Sequence, residues 1–310
     1  MPVFLFSVTC LLVGLWMPTA SRGADAFVIV DNQTGHILGG SAQNEKRQIA
    51  SLTKLATALV VLDMAKLKKI NLSEVVVVPR EAVGAGGDNS TGLAEGDAMS
   101  LRDLMYCALL GSDNVAAATL ARHAGARLSN PEDLPPIANF VSHMNALARG
   151  LRMKRTLFLN PTGLDSGPQT PPHSTAADMA RLTRYAYSSA DLPFFVSQKS
   201  RAVTLLRGGQ TFSVPINNTN ELLGEMAIDG VKTGQTEKAG GCLILSSERP
   251  PESRREGNTT YVTPRRIHIV LLGSRDRNAD GRALTERGWA LYNAWARDGR
   301  KISRSKSIQN

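Results

Sequence analysis

Cysteine is scarce in this sequence: there are three residues in 310, and one of them, Cys10, lies in an apolar leader. Only Cys107 and Cys242 remain beyond the leader, which excludes a fold held by several disulfide bonds and permits one at most. Because both stand in apolar runs, we expect buried free thiols. The five histidines show no metal-ligand spacing, so the sequence predicts neither a metal ion nor another cofactor.

Aromatic residues are also few, at 5% of the chain, although the formal net charge is +9. The lysines and arginines are spread along the chain without an RNA-binding or zinc-finger signature, so we expect no nucleic acid partner. A basic surface also suits an anionic envelope or an acidic substrate. Hydrophobic residues make up 42% of the chain, which is enough for one large or two modest globular domains.

Long uncharged apolar runs are confined to the N-terminus. Residues 2–18 are apolar and uncharged, and small residues follow as far as Ala26. This pattern predicts a signal peptide over residues 1–26, and therefore a protein exported to the periplasm or the extracytoplasmic face of the cell envelope. Since the first residues lack lysine and arginine, an uncleaved membrane anchor is the alternative.

The order of predicted elements indicates an α/β (α+β) fold. Phe27 to Gly39 has the pattern of a β-hairpin, and the stretch from about 80 to 200 is mostly helical. Strands follow from Ala202 to Gly273, interrupted by a charged loop predicted from Pro250 to Arg266, and a helix from Leu284 to Trp295 closes the chain. Strands at both ends predict one mixed sheet with an inserted helical region.

Ser51-Leu52-Thr53-Lys54 opens a segment that is apolar almost all round, as expected of a buried helix. Ser51 and Lys54 stand at i and i+3 and therefore share one face. Burial lowers the pKa of a lysine towards that of a working base, and a serine beside such a base becomes a nucleophile. The alternative is an N-cap serine and a lysine that reaches solvent. The same spacing recurs from Ser303 to Lys306 in the polar tail, so the pattern is weak by itself.

Two further stretches give that serine a chemical context. Ser112-Asp113-Asn114 lies at a break between two predicted helices, and Lys232-Thr233-Gly234 lies at the end of a predicted strand. An asparagine at such a break can donate to a substrate amide carbonyl, and the serine can relay a proton to a leaving amine. Taken alone, each stretch also fits an ordinary capping turn or strand end.

Each of the three residues at the strand end is expected to interact with a substrate in a different way. Lys232 would place positive charge where a substrate carboxylate and a developing oxyanion gather. The Thr233 hydroxyl would hydrogen-bond that carboxylate. Gly234 lacks a side chain, so a substrate backbone would lie along the strand edge as an added strand.

In this order, the three motifs resemble those of the low-molecular-mass penicillin-binding proteins that act as D-alanyl-D-alanine carboxypeptidases, the serine peptidases of family S11. The resemblance runs from about Phe27 to Trp295 and includes Phe158 to Asp165, Ser174 to Asp178 and Asp229 to Thr236. It implies the penicillin-binding or β-lactamase-like fold, an antiparallel sheet flanked by helices, in a catalytic domain over residues 27–298.

The resemblance also implies a mechanism. Ser51 would attack the penultimate D-alanine carbonyl of a peptidoglycan stem peptide ending in D-Ala-D-Ala, while Lys54 takes its proton. The backbone N–H groups of Ser51 and Gln235 would form the oxyanion hole, and Ser112 and Lys232 would help to protonate the departing D-alanine. Water, assisted again by Lys54, would hydrolyse the acyl-enzyme. β-Lactams would acylate the same serine as inhibitors.

Three other functions stay open. A D,D-endopeptidase that cuts peptidoglycan crosslinks would share every motif. A class A β-lactamase would need a glutamate base in a Glu-x-x-Leu-Asn pattern, which Glu132-Asp133-Leu134-Pro135 does not fit. A non-enzymatic wall-binding protein is the third, and the intact motifs argue against it.

Two details of the resemblance are less determined. Either Arg277 or Arg282 is expected to help bind the substrate carboxylate. Residues 299–310 form a basic polar tail, which predicts disorder and a weak association with membrane lipid or wall polymer.

Overall fold

A five-stranded antiparallel sheet joins the two ends of the chain. The computed structural model describes residues 23–165, 171–303 and 307–308, so the predicted leader falls mainly outside the described residues. The early hairpin pairs with the late strands, as the sequence predicts. In spatial order the strands are β2 Ile37–Ser41, β1 Ala26–Asp31, β9 Thr259–Ser274, β8 Gly240–Glu256 and β7 Ile228–Thr236.

The two faces of this sheet bury different apolar clusters. Along β1, Val28 and Val30 pack with the helical region, while Ile29 between them packs with Trp289 on the opposite face. That alternation follows from the period of two along a strand. The opposite face is covered by α8 Arg277–Arg297, which begins earlier than the sequence predicts because Asp276 caps it.

The predicted helical region is confirmed, and its helices cover the first face of the sheet. α1 is buried on nearly every side, which explains its uniformly apolar sequence. No helix in the described ranges is long and apolar enough to cross a membrane. The helices are α1 Thr53–Lys68, α2 Arg80–Val83, α3 Leu101–Leu109, α4 Asn114–Gly125, α5 Pro136–Gly150, α6 Ala176–Ala186 and α7 Asp191–Val196.

The expectation of one mixed sheet is wrong, because the strands form two separate antiparallel sheets. The second is built in the order β3 Val75–Val77, β4 Ala98–Ser100, β5 Ser200–Arg207 and β6 Gln210–Asn217. The strand β4 has three residues, too few to show a period in the sequence. It links the early strand to the late hairpin.

The predicted loop from Pro250 to Arg266 is also corrected. It is the outer half of a long hairpin in which β8 and β9 stay paired as far as Glu256 and Thr259. The ladder is irregular between Arg249 and Glu252, where two prolines stand that cannot donate to it. Gly257, at a φ of +58°, makes the tight turn.

The predicted disorder of the tail is contradicted at two described positions. Ser307 forms an antiparallel bridge with His36, and the Ile308 N–H donates to Gly35 O at 2.8 Å. The Ile308 side chain is buried, and its carbonyl accepts a bond from Arg184. An apolar side chain within the basic tail is what allows this packing.

Candidate active site

Ser51 and Lys54 lie where a single 3₁₀ turn, Ala50–Leu52, runs into α1. Lys54 Nζ donates to Ser51 Oγ at 2.8 Å and to the Thr162 carbonyl at 3.1 Å. Lys54 is fully buried, while Ser51 lines an open cleft. The spacing read from the sequence therefore brings a reachable hydroxyl onto a lysine that is shielded from water.

The environment of Lys54 sets its protonation state. Burial lowers its pKa from 10.5 to about 7, and the negative charges of Asp113 and Asp88 partly oppose that shift. Near neutral pH a large fraction of the amine is therefore unprotonated and able to accept a proton from Ser51. This is the physical requirement for a general base.

The break between α3 and α4 presents Ser112 to the same cleft. Ser112 has a φ of +60°, a left-handed conformation that is unfavourable for serine, and so its side chain is held at a sharp corner. Asp113 fixes the corner by capping α4 through the Ala116 N–H at 2.9 Å. Its other oxygen accepts the Thr91 N–H at 2.8 Å, which ties the loop before β4 to the corner.

Asn114 lies beside the cleft without lining it. Its Nδ2 donates to the Gly86 carbonyl at 3.2 Å, and its backbone N–H donates to the Asp88 carbonyl at 2.8 Å. The side-chain oxygen is buried and has no partner among the described residues. Its amide is therefore bound to the loop at the position where a substrate carbonyl is expected.

β7 supplies Lys232 and Thr233. Lys232 is buried, and its Nζ donates to the Thr233 carbonyl at 2.9 Å. Burial lowers its pKa well below the ordinary value, helped by the positive charges of Lys54 and Arg277. The Thr233 and Thr219 hydroxyls share a 2.6 Å hydrogen bond at the cleft wall.

Gly234 has a structural role besides the one expected from the sequence. A Cβ at this position would lie 3.0 Å from the Ser51 backbone nitrogen and 3.1 Å from the Ile49 carbonyl. The missing side chain therefore lets β7 approach the nucleophile turn directly. β7 is also the outer strand of its sheet, so its second edge is unpaired within that sheet.

The cleft itself has a volume of about 500 Å³. The sequence left two arginines as candidates for binding the substrate carboxylate, and the structure distinguishes them. Arg277 lines the cleft and donates to Gln235 Oε1 at 3.0 Å, whereas Arg282 pairs with Glu225 outside the cleft. The lining residues are Ser51, Asp88, Asn89, Ser90, Gly111, Ser112, Thr219, Thr233, Gly234, Gln235 and Arg277.

Sequence reasoning missed two contributors to this site. The first is the turn from Asn160 to Gly163, which packs against the nucleophile turn. Thr162 supplies the carbonyl that accepts a hydrogen bond from Lys54, and a Cβ on Gly163 would lie 2.0 Å from the Ala50 carbonyl. The other is Asp88, which stands in a loop that showed no known ligand spacing. The run Asn-Pro-Thr-Gly was visible as a turn, but only packing reveals what it touches.

The remaining candidate residues are the cysteines and the side chains that could ligate a metal ion. Cys107 and Cys242 are buried and free, as the sequence predicts. Within the described ranges, no group of three or more histidine, cysteine, aspartate and glutamate side chains could hold a metal ion.

Comparison with known proteins identifies the family. A sequence profile for D-alanyl-D-alanine carboxypeptidases, Peptidase S11, matches residues 17–253. The chain belongs to this family. The carboxypeptidase DacC of Escherichia coli K12 is 31% identical over 89% of this chain and 63% of its own length. A D-alanyl-D-alanine endopeptidase of Pseudomonas aeruginosa is 34% identical over 70% of this chain and 65% of its own length.

The same fold occurs in two solved structures. The DD-transpeptidase of Streptomyces K15 aligns with a TM-score of 0.73 at 25% identity, over 86% of this chain and 97% of that one. Penicillin-binding protein D2 of Listeria monocytogenes, in a cefotaxime-bound form, aligns with a TM-score of 0.68 at 26% identity, over 88% and 100%. The predicted penicillin-binding fold is therefore confirmed. This S11 chain spans about 63% of the length of the first curated relatives it matches.

Proposed function

We propose that this chain is an exported serine D,D-carboxypeptidase that removes the terminal D-alanine from peptidoglycan stem peptides. The observation that carries the proposal is the 2.8 Å hydrogen bond from Lys54 Nζ to Ser51 Oγ, at a buried lysine whose pKa is about 7. Family membership supports the choice of substrate.

In the acylation step, Ser51 Oγ attacks the carbonyl carbon of the penultimate D-alanine and transfers its proton to Lys54 Nζ. The backbone N–H groups of Ser51 and Gln235 hold the oxyanion. The close approach of Gly234 to the Ser51 nitrogen supports this role, because it brings the two parts of the chain together. The C–N bond then breaks, and the proton that Lys54 took from Ser51 passes through Ser112, with Lys232 nearby, to the departing amine, which leaves Lys54 neutral.

The carboxylate of the terminal D-alanine binds at the Arg277 end of the cleft. Arg277 supplies a guanidinium at the wall, and the Thr233 hydroxyl lines the same wall. Charge-assisted bonds to a carboxylate are the stronger kind of hydrogen bond. This assigns the carboxylate to Arg277 rather than to Arg282, whose charge is already paired with Glu225.

The acyl part of the substrate takes the place of a loop carbonyl. Asn114 Nδ2 now donates to Gly86 O at 3.2 Å. A substrate amide carbonyl satisfies the same donor when the loop moves aside, so that binding exchanges one hydrogen bond for another. Water then attacks the acyl-enzyme, Lys54 takes its proton, and Ser51 is regenerated.

The second candidate is a D,D-endopeptidase, which is favoured by the endopeptidases among the relatives. It uses the same residues and differs in the leaving group. Inhibition by β-lactams and export are part of the proposal, and association of the tail with lipid or wall polymer stays a prediction. A class A β-lactamase or a wall-binding protein is an outcome of the tests.

The test compares two substrates with the purified protein and with Ser51→Ala. One is a stem pentapeptide ending in D-Ala-D-Ala, the other a D,D-crosslinked peptide dimer, and products are followed by mass spectrometry. We expect D-alanine release from the pentapeptide to be the faster reaction, and to be absent in the variant. Faster cleavage of the dimer would favour the endopeptidase. No cleavage of either, by protein with a native circular dichroism spectrum, would overturn the proposal.

A further inference from the structure

The charges along the cleft are distributed unevenly. Among the described residues that line it, Arg277 is the only base and Asp88 the only acid. Two lysines, Lys54 and Lys232, lie buried behind the wall. Asp88 is exposed, so its acidic side chain faces solvent and would face a ligand in the cleft.

Asp88 stands on the acyl side of the cleft. Its backbone carbonyl accepts the Asn114 N–H at 2.8 Å, and Gly86 in the same loop accepts the Asn114 side chain. Arg277, in contrast, is held beside Gln235 at 3.0 Å. On the proposed function, Asn114 marks where the acyl chain lies and Arg277 where the leaving carboxylate lies.

The Asp88 carboxylate is available to a ligand. Within the described part of the chain it takes part in no ion pair and accepts no side-chain or backbone hydrogen bond. Asp113, by comparison, is buried and fully used by the Ala116 and Thr91 amides. Of the two acids near the nucleophile, one is therefore structural and the other is free to select a substrate.

We propose that Asp88 recognises a free ammonium group on the side chain of the residue that precedes the D-Ala-D-Ala unit. The inference rests on the proposed function and deepens it by naming the substrate class: donor peptides with an unacylated basic side chain. A carboxylate accepts from an ammonium more strongly than from a neutral amide. Because the contact is partly solvated, we expect a preference of about two- to fivefold over the acylated side chain.

A different role for Asp88 would leave a different signature. Its negative charge also favours the charged form of Lys54, so removing it would alter acylation by every substrate to the same extent. Recognition of an ammonium instead changes the ratio between two substrates. The ratio therefore separates substrate selection from a general effect on the lysine.

The experiment uses two peptides, Nα-acetyl-L-Lys-D-Ala-D-Ala and its Nε-acetylated form, which differ only in the side-chain charge. We measure kcat/KM for D-alanine release by the wild type, Asp88→Asn and Glu95→Gln. Glu95 is a matched control, because it is an exposed acid of the same loop that does not line the cleft. The rate of acylation by benzylpenicillin is measured alongside.

We expect the wild type and Glu95→Gln to prefer the free amine, and Asp88→Asn to cleave both peptides equally well. Three results would overturn the assignment while leaving the carboxypeptidase intact. They are equal cleavage of both peptides by the wild type, a preference for the free amine that survives Asp88→Asn, and a preference that Glu95→Gln loses as fully as Asp88→Asn does. If the folded wild type cleaves neither peptide, the proposed function fails and the assignment fails with it.

Discussion

A methyl group on Gly234 would lie 3.0 Å from the backbone nitrogen of Ser51, so the outer strand of the sheet touches the turn that carries the nucleophile. Real Cβ atoms are almost never placed closer than this to a neighbour, and the Ala50 Cβ, at 3.2 Å, closes the same space. The position of β7 relative to Ser51 is thus fixed by a backbone contact, which is harder to relax than a side-chain contact.

Gly234→Ala should separate the strand from the nucleophile by a few tenths of an ångström. We expect acylation by benzylpenicillin to slow about 10- to 100-fold, because small misplacements at a reacting centre are costly. The free energy of unfolding should fall by about 1–3 kcal/mol. Gly150→Ala is the control, since a Cβ there meets nothing within 4 Å. Acylation at the wild-type rate in Gly234→Ala would contradict this account of the contact.

The pKa of Lys54 predicts how acylation depends on pH. Because its pKa is about 7, the second-order rate constant for benzylpenicillin should rise nearly tenfold per pH unit on the acid side of that value and level off on the alkaline side. The negative charges of Asp113 and Asp88 partly oppose the effect of burial on this pKa. Stopped-flow measurements across this range test it, and a flat profile would show that another group is the base.

Burying Lys54 should also cost stability. Its pKa is about 7 in the folded protein against 10.5 ordinarily, so between these values the unfolded chain binds the extra proton and stability rises with pH. Lys54→Met removes that cost but also two hydrogen bonds, and we expect a net gain of about 1–3 kcal/mol below the folded pKa. The gain should shrink as pH rises towards 10.5. Urea unfolding at two pH values measures it, and a variant less stable at both would refute the idea.

Two arginines of one helix provide a matched pair. Arg277→Leu should lower kcat/KM for a D-Ala-D-Ala peptide by about 10- to 100-fold, since it removes a charged hydrogen bond to the substrate carboxylate. Arg282→Leu should leave it nearly unchanged, because that side chain pairs with Glu225 outside the cleft. Steady-state kinetics on both variants decide the matter. Equal losses would show that neither arginine binds the carboxylate specifically.

The sequence predicted the features that depend on the spacing of nearby residues. The i, i+3 spacing of Ser51 and Lys54 predicted their contact, and the apolar run after them predicted a buried helix; both are present in the structure. The pairing of the first strands with the last followed from the order of the predicted elements, with strands at both ends of the chain and helices between them. The contact and the buried helix depend on neighbours in the chain.

What could not be predicted depends on residues distant in sequence. The Thr162 carbonyl reaches Lys54 from 108 positions away, and no local pattern marks it. The outer half of the β8–β9 hairpin was predicted as a loop, because its prolines and charges hide the alternation expected of a strand and this half is largely exposed. Nor could the sequence show which of Arg277 and Arg282 reaches the cleft, because that depends on how α8 is oriented against the sheet.

The most direct test of the account is the intact mass of the protein after benzylpenicillin is added, followed over time in the wild type and in Ser51→Ala. We predict an adduct of one drug molecule on the wild type that persists for minutes, maps to the peptide containing Ser51 and is absent from the variant. Rapid drug turnover without a lasting adduct would indicate a β-lactamase. Neither adduct nor turnover, in protein shown to be folded, would contradict the claim that Ser51 and Lys54 form a catalytic pair.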